Sequence, residues 1–268
     1  MNPLNGHQLG ARRILGVRVD DVTMAEAVAL IGSLIAARQP SQVVTINPEF
    51  VMRARRDPTF AAILEAAALA VPDGSGLAWA CRRAGLPLRG LVRGVELVEE
   101  LARAGAAAGW RFFLLGAAEG VAAAAGRALA RHAPGLTVAG TFAGNAAPAG
   151  DAETTAAIRA ACPIDLLLVA YGAPAQERWI ARNAAALGIP VSIGVGGTFD
   201  YLSGRIPRAP RWAIEHGLEW LFRLLRQPWR WRRQRALLAY AWLILRDRRA
   251  VTATQRTLLL PPLDRQAD

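Results

Sequence analysis

The sequence is poor in the features that define several large classes of protein. Its 268 residues include two cysteines, Cys81 and Cys162, without C-x-x-C spacing, which argues against a disulfide framework or a zinc knuckle and favours a reducing, cytoplasmic setting. The three histidines, His7, His132 and His216, lie in separate segments, so we expect no metal site. The chain also has no Asp-x-Asp motif and no G-x-G-x-x-G fingerprint.

Long apolar runs are missing as well. Residues 1–17 contain Asn, Gly, His and Gln where a signal peptide needs an apolar run, so we expect no export. The longest apolar stretch near the C-terminus, residues 236–245, has ten residues, whereas a spanning helix needs about 20. This stretch can lie on a bilayer but cannot cross it.

What the chain has in abundance is hydrophobic sequence and, near its C-terminus, arginine. Hydrophobic residues make up 53% of the chain, enough for the core of one α/β domain with or without an appendage. The net charge of +11 is concentrated between Arg205 and Arg249, where twelve arginines stand against three acidic residues and five of the eight tryptophans occur. Such a segment can contact nucleic acid, anionic lipid or a phosphorylated substrate.

Short β-rich apolar runs alternate with longer helical patterns, which predicts an α/β fold with a mostly parallel sheet and flanking helices. The predicted strands are residues 42–46, 69–71, 111–115, 136–139, 165–170 and 190–195. The predicted helices are residues 23–37, 58–68, 95–108, 121–132, 153–161 and 174–187. Thr23 and Glu26 resemble a capping box at the start of the first helix.

Polar and glycine-rich segments follow five of these strands. They are Thr45 with Asn47, residues 72–74, Gly116, Tyr171 to Glu177, and residues 194–200. Ligands of open α/β sheets bind beyond the carboxyl ends of the strands, so these segments predict one binding site on one rim.

Each segment also has a purely structural interpretation. Pro-Asp-Gly at residues 72–74 is a standard turn, and Asn47 before a proline can cap a helix. The glycines at 194–197 suit tight packing of a strand on a helix, and Glu177 can complement a helix dipole.

The functional interpretation assigns chemistry to the same positions. Asp73 is a carboxylate able to accept a proton from an attacking sugar hydroxyl, and Asn47 beside Thr45 can hydrogen-bond sugar hydroxyls. Gly116 and Gly120 bracket a strand-loop-helix junction whose N–H groups and helix dipole suit phosphate.

A diphosphate bound without a metal needs another source of positive charge, and arginine is the obvious substitute. Arg205, Arg208 and Arg211 follow the last rim segment closely enough to supply it.

Taken in order, these segments resemble the WecG/TagA/CpsF family of bacterial glycosyltransferases. The matching pieces occur in family order from about residue 14 to residue 235, and they are residues 45–47, 72–76, 112–116, 171–177, 194–200, 208–210 and 217–224. Each piece is weak alone, whereas the ordered set is specific.

The resemblance implies a Rossmann-like core of residues 1–204. It also implies a basic appendage of residues 205–268 that meets the membrane, with a flexible tail after about residue 250. The implied activity is an inverting, metal-independent transfer that needs no cofactor. The donor is a UDP-sugar, often UDP-N-acetylmannosamine, with a related hexose or uronic acid as the alternative. The acceptor is a polyprenyl-diphosphate-linked glycan of cell-surface or exopolysaccharide synthesis, on the inner face of the cell membrane.

The resemblance also suggests roles for single residues. Asp73 is the candidate base. The candidates for donor contacts are Thr45, Asn47, Gly116, Tyr171, Gly172, Gln176, Glu177, Gly196 and Asp200. The candidates for the acceptor diphosphate or the membrane are Arg205, Arg208, Arg211, Arg223, Arg226, Arg230 and Arg233. The last four are spaced by three, four and three residues, as on one helical stripe, although Pro228 interrupts them.

Two positions depart from the family pattern. Where members commonly show Arg-x-x-Gly-x-Asp, this chain has Arg93 displaced towards Gly94, and Glu96 in place of the aspartate. Either Arg89 or Arg93 can substitute for the family arginine. Ala175 stands where the donor motif has a lysine, so the donor sugar stays open.

Two other classes remain as alternatives. A nucleic-acid-binding protein would use the basic, tryptophan-rich segment, but no recognised binding module is present, and we expect no nucleic-acid partner. A nicotinamide-dependent oxidoreductase is weakened by the missing glycine fingerprint. The sequence allows a homo-oligomer and leaves the oligomeric state open.

Overall fold

The computed structural model describes residues 5–210, 222, 231–247 and 249–260. The strands are β1 Asn5–Ile14, β2 Val17–Asp20, β3 Ser41–Ile46, β4 Leu69–Pro72, β5 Arg111–Gly116, β6 Thr137–Phe142, β7 Leu166–Ala170, β8 Val191–Gly194 and β9 Val251–Leu260. The helices are α1 Met24–Ala37, α2 Pro48–Ala54, α3 Pro58–Ala66, α4 Ser75–Arg83, α5 Gly94–Ala108, α6 Val121–His132, α7 Asp151–Ala160, α8 Ala175–Leu187, α9 Thr198–Leu202 and α10 Trp231–Arg246.

The main sheet has six parallel strands in the order β4-β3-β8-β7-β5-β6. Every residue of β4, β7 and β8 is buried, as expected for strands covered on both faces. The predicted α/β, Rossmann-like fold is therefore confirmed, and each of its six predicted strands corresponds to one strand of this sheet.

Helices cover the sheet on both faces. Helices α1, α5, α6 and α9 pack together on one face, whose core includes Leu101, Phe112 and Phe199. Helices α2, α3, α7 and α8 cover the other face, where Phe60 and Trp179 are fully buried. The predicted capping box is present: the Thr23 hydroxyl accepts from the Glu26 N–H, and the Glu26 carboxylate accepts from the Thr23 N–H at 2.9 Å.

A second, antiparallel sheet joins β2, β1 and β9, none of which was predicted. β1 pairs with β9 over ten residues, from Asn5 opposite Leu260 to Ile14 opposite Val251. A flexible tail was predicted from about residue 250, and this prediction was wrong for residues 251–260. The strand could not be recognised from local sequence because its partner lies about 240 residues away.

A buried ion cluster fastens this small sheet to the main one. Asp20 is fully buried, and its carboxylate accepts from Arg18 Nη1 at 2.7 Å and lies 3.2 Å from Arg256 Nε. The same carboxylate accepts from the N–H of Ala70 in β4 at 2.8 Å. Each charge is paired, as burial of a charged group requires.

The described part of the appendage is also attached to the core. Tyr240 and Ile244 of α10 are buried against the α2 side, and the Tyr240 hydroxyl donates to the Gly76 carbonyl at 3.3 Å. The division of the chain at residue 204 stays a prediction, since most of residues 211–230 lie outside the described part. None of the described helices is both long and apolar enough to span a bilayer.

Candidate functional site

All strands of the main sheet are parallel, so their carboxyl ends lie on the same side of the molecule, which we call the rim. The five predicted segments lie on this rim, because each is at the carboxyl end of one strand. From β5 the chain passes to β6 on one side, and from β7 it passes to β8 on the other. The strand order therefore reverses between β5 and β7, and such a reversal opens a crevice in which ligands of open α/β sheets bind.

Asp73 stands directly after β4, and backbone hydrogen bonds hold it there. Its N–H donates to the Ile46 carbonyl at 2.7 Å, and the Val92 N–H donates to the Pro72 carbonyl, also at 2.7 Å. A Cβ placed on Gly94 would lie 3.9 Å from Asp73 Oδ2 and 3.6 Å from Thr198 Oγ1. The Asp73 carboxylate, the start of α5 and the start of α9 therefore meet at one point of the rim.

Thr198 was not singled out from the sequence. Its side chain is 3% exposed, and its hydroxyl donates to the Val195 carbonyl at 2.7 Å. The signal was present, since Thr198 follows two glycines at the end of a strand, but a threonine at a helix start is usually assigned to capping.

Thr45 lies near the end of β3 and Asn47 just after it, and β3 is the neighbour of β4, which Asp73 follows. Thr45 is 7% exposed, and its hydroxyl donates to the Gly194 carbonyl at 3.4 Å, which joins β3 to the end of β8. The Asn47 side chain accepts from the Phe50 N–H at 3.1 Å, so its predicted capping role is confirmed. Its contact with a sugar stays a prediction.

Gly116 stands at the strand-order reversal, with a φ of +102°. A Cβ there would lie 2.9 Å from the carbonyl carbon of Ala170, so no other residue fits without moving the backbone. The next N–H, of Ala117, donates to the Ala170 carbonyl at 3.1 Å. The β5 and β7 loops thus touch at the base of the crevice, and α6 begins just beyond Gly120.

Gln176 and Glu177, in the first turn of α8, lie below the rim. Gln176 is 2% exposed and Glu177 is fully buried. Gln176 Oε1 accepts from the N–H groups of Gly172 and Gly196, each at 3.0 Å, and its Nε2 donates to Glu177 Oε1 at 2.7 Å. Burial raises the pKa of Glu177 to about 7, against the opposing effect of the Gln176 hydrogen bond. In this structure Gln176 binds the loops around the crevice and Glu177 binds Gln176, and direct donor contacts stay a prediction.

The Tyr171 ring packs edge-on against Trp179, with 6.2 Å between ring centroids, on the face that α7 and α8 cover. Burial raises its pKa to about 12. Asp200 is half-buried beside the rim glycines, and its Oδ1 lies 3.9 Å from Arg205 Nη1.

Arg208 is held by acidic side chains of α5. Its guanidinium lies 2.8 Å from Glu96 Oε1 and 3.8 Å from Glu99 Oε2, while Arg93 Nη1 lies 3.5 Å from Glu96 Oε2. Glu96, the residue that departs from the family pattern, therefore binds the first residues of the appendage to α5 through Arg208. Of the other predicted arginines, Arg211, Arg223, Arg226 and Arg230 lie outside the described residues, and so does the side chain of Arg233.

The two candidates for the displaced family arginine lie in different places. Arg89 binds Glu26 at 2.5 Å and the Asp21 carbonyl at 2.7 Å, at the start of α1. Arg93 immediately precedes Gly94, at the point where Asp73 and Thr198 meet. The geometry favours Arg93.

Within the described ranges, no three His, Cys, Asp or Glu side chains come together as metal ligands would.

Comparison with known proteins gives consistent matches. The model of the glycosyl transferase WecG/TagA/CpsF family matches residues 12–254. The N-acetylglucosaminyldiphosphoundecaprenol N-acetyl-beta-D-mannosaminyltransferase of Bacillus spizizenii is 35% identical over 208 residues, which cover 78% of this chain and 80% of that relative. Proteins of the same name from Bacillus subtilis and Staphylococcus aureus are 32% and 31% identical, and the matches cover 76% and 79% of this chain and 79% and 83% of those relatives.

Proposed function

Because the chain belongs to the WecG/TagA/CpsF family of glycosyltransferases, we propose that it transfers a sugar from a UDP-sugar to a polyprenyl-diphosphate-linked acceptor. The names of the relatives favour N-acetylmannosamine as the sugar and N-acetylglucosamine as the first acceptor residue. The loss of the donor-motif lysine, with Ala175 in its place, keeps a related hexose or uronic acid as the alternative. Family membership decides against the nucleic-acid-binding and oxidoreductase alternatives.

The observation that carries this proposal is the position of Asp73 on the rim. The acceptor hydroxyl attacks the anomeric carbon of the donor from the face opposite UDP, and the bond from that carbon to the diphosphate oxygen breaks. Its electron pair leaves with UDP, the hydroxyl proton passes to the Asp73 carboxylate, and the configuration inverts. A carboxylate placed where a sugar hydroxyl loses its proton typically contributes about 10²- to 10⁴-fold in rate.

Negative charge develops on the departing UDP. The part of the rim that follows β5 has groups that can stabilise this charge. The loop between Gly116 and Gly120 leads into the twelve-residue helix α6, whose N-terminal N–H groups favour a phosphate. Arg205 and Arg208 follow the β8 segment, where their guanidinium groups contact Asp200 and Glu96, and guanidinium groups of this kind suit phosphate oxygens. We propose on these grounds that the transfer needs no divalent metal and no cofactor.

The outer face of α10 supports a peripheral position on the inner face of the cell membrane. Leu238, Trp242 and Leu245 are 75%, 54% and 53% exposed, and their spacing places them on one stripe of the helix. The Arg246 guanidinium lies 4.9 Å from the centre of a Trp242 ring. Tryptophan and leucine flanked by arginine suit the headgroup boundary of an anionic bilayer.

Turnover tests the function directly. The full-length protein is offered a panel of UDP-sugars with a polyprenyl-diphosphate-linked N-acetylglucosamine acceptor, and the Asp73→Asn variant serves as the control. We expect transfer from UDP-N-acetylmannosamine or a related donor, with release of UDP and an inverted linkage. Absence of transfer from every UDP-sugar would refute the proposal.

A further inference from the structure

Gln176 connects the two loops that follow the central strands β7 and β8. One oxygen, Oε1, accepts both the Gly172 N–H and the Gly196 N–H at 3.0 Å. The Gly172 and Gly196 backbones have φ angles of +78° and +54°, so each loop turns at the residue that Gln176 holds. A single amide oxygen therefore fixes the relative position of two rim loops.

Glu177 determines which end of the Gln176 amide faces the loops. Its Oε1 accepts from Gln176 Nε2 at 2.7 Å, which leaves Oε1 of Gln176 directed at the two N–H groups. If the amide were turned over, its NH2 group would oppose two N–H donors and its oxygen would oppose a carboxylate, leaving buried groups unsatisfied.

The pair has no room for another arrangement. A Cβ on Gly194, at the end of β8, would lie 2.5 Å from both Gln176 Nε2 and Glu177 Oε1. The Glu177 backbone carbonyl accepts from Gln42 Nε2 of β3 at 3.3 Å, which fixes the first turn of α8 on the sheet. Both side chains are almost completely shielded from water, so solvent cannot replace a lost partner.

We propose that Glu177 is a positioning residue of the transfer reaction: its carboxyl orients the Gln176 amide, and Gln176 sets the two loops at the spacing that the donor pocket needs. The inference rests on the proposed function and deepens it. Glu177 is fully buried, which shields it from both the sugar and the diphosphate. It acts through Gln176, and what it supplies is a hydrogen-bond acceptor rather than a negative charge.

An exchange of the two side-chain types tests this role. Glu177→Gln keeps an oxygen that accepts from Gln176 Nε2, so the donor KM stays within about threefold of the wild-type value. Gln176→Glu places two carboxyls face to face, and one of them must take up a proton to remain. The double variant Gln176→Glu with Glu177→Gln restores a hydrogen bond between the two side chains. In it the amide at position 177 donates and the carboxylate at position 176 accepts, the reverse of the wild-type arrangement.

We expect the Gln176→Glu protein to show a donor KM raised about ten- to hundredfold at about pH 9 and recovering towards pH 6, where the two carboxyls share a proton. The double variant shows no such pH dependence and returns close to the wild-type KM. Amide hydrogen exchange at Gly172 and Gly196, measured in the same proteins, rises in the single variant and falls back in the double one.

Equal donor KM and equal exchange in all four proteins would overturn the proposal. So would a double variant no better than Gln176→Glu, or thermal midpoints that fall without a change in KM, since the pair would then be merely structural. If the wild-type protein transfers no sugar, the proposed function fails. Amide exchange and UDP binding would then still decide whether Glu177 orients Gln176.

Discussion

The chemistry at the rim depends on single side chains, and backbone hydrogen bonds determine their positions. Asp73 follows a buried four-residue strand, and neighbouring N–H and carbonyl groups hold it on both sides. Gln176 and Glu177 lie buried in the first turn of α8, where Gln176 binds two of the loops and Glu177 binds Gln176. The rim therefore combines a reacting carboxylate near its surface with a buried pair that supports the loops around it.

At this scale the first prediction concerns Asp73. Asp73→Asn keeps the size of the side chain and removes the proton acceptor, so kcat falls about 10²- to 10⁴-fold. UDP binding, measured by calorimetry, stays close to that of the wild type. Asp247→Asn is the matched control, because Asp247 is exposed just beyond α10 and an asparagine oxygen there can also accept from the Arg249 N–H. Near-normal turnover by Asp73→Asn would remove the residue from the mechanism.

A second prediction concerns the pH dependence of stability at Glu177. Its pKa is raised from an ordinary 4.5 to about 7, so the folded protein favours the neutral carboxyl. The resulting stabilisation is complete below pH 4.5 and is lost as the pH rises through about 7. Glu177→Gln stays neutral throughout. As the pH rises between these two values, the thermal midpoint of the variant should therefore increase relative to that of the wild type. A difference between the two midpoints that does not change with pH would contradict the assignment.

A third prediction concerns the counter-charge for the leaving diphosphate. If guanidinium groups and N–H donors supply it, EDTA leaves the rate of transfer unchanged. Replacing Arg205 and Arg208 together with Gln lowers kcat by about tenfold or more, since two charge-assisted hydrogen bonds are lost. Activity that disappears in EDTA and returns with Mg²⁺ or Mn²⁺ would overturn metal independence.

At the scale of elements, the continuous apolar strands and the longer helices were predictable because each carries its own periodicity. The helices α2, α4 and α9 were missed. Each has only five to nine residues and begins at a proline or just after a glycine, so its sequence resembles that of a loop. The strands β1, β2 and β9 were missed because their pairing is distant and β1 is rich in polar residues.

Part of the site, like part of the fold, could be predicted from the sequence. Its location followed from sequence, since strand ends are marked by polar residues and glycine. The directions of the side chains did not follow. Tyr171 turns towards Trp179, and Glu177 is buried under the loops, because packing on the opposite face and the turn of α8 decide these directions.

The exposed stripe of α10 leads to the fourth prediction. Replacing Leu238, Trp242 and Leu245 together with Ser leaves the face that packs on α2 intact and removes the apolar contact with lipid. Binding to vesicles containing phosphatidylglycerol, measured by sedimentation, should weaken about tenfold or more, while turnover of a short-chain, water-soluble acceptor persists. Salt should weaken the binding of the wild-type protein. Unchanged sedimentation of the triple variant would place the membrane contact elsewhere.

On the scale of the whole molecule, the described parts of the appendage beyond residue 230, α10 and β9, are both packed on the core. Helix α10 packs on α2, and β9 pairs with β1. Cutting the chain after residue 204 would therefore remove a ten-residue partner strand and the Arg256 member of the buried ion cluster. Such a truncation cannot test the membrane contact alone.

The fifth prediction follows from this packing. Arg256→Met removes the contact with Asp20 and the hydrogen bond to the Ala68 carbonyl but leaves Asp20 paired with Arg18, so the free energy of unfolding should fall by about 1–2 kcal/mol. Arg249→Met, at an exposed position just before β9, should change it by less than about 0.5 kcal/mol. Chemical denaturation measures both. Equal stability of the two variants would show that Arg256 does not help to fasten the small sheet.

The pairing of β1 with β9 also governs how the protein is made. Ribosomes add roughly 5–20 residues per second, so β1 waits on the order of ten seconds or more for a partner translated about 240 residues later. During that time one side of the nascent β1–β2 hairpin is an open edge, able to recruit another chain. Charged residues on an edge strand oppose such pairing, and β1 carries two of them, Arg12 and Arg13. The polar sequence that hides this strand from pattern analysis is thus also one that disfavours aggregation of an unfinished chain.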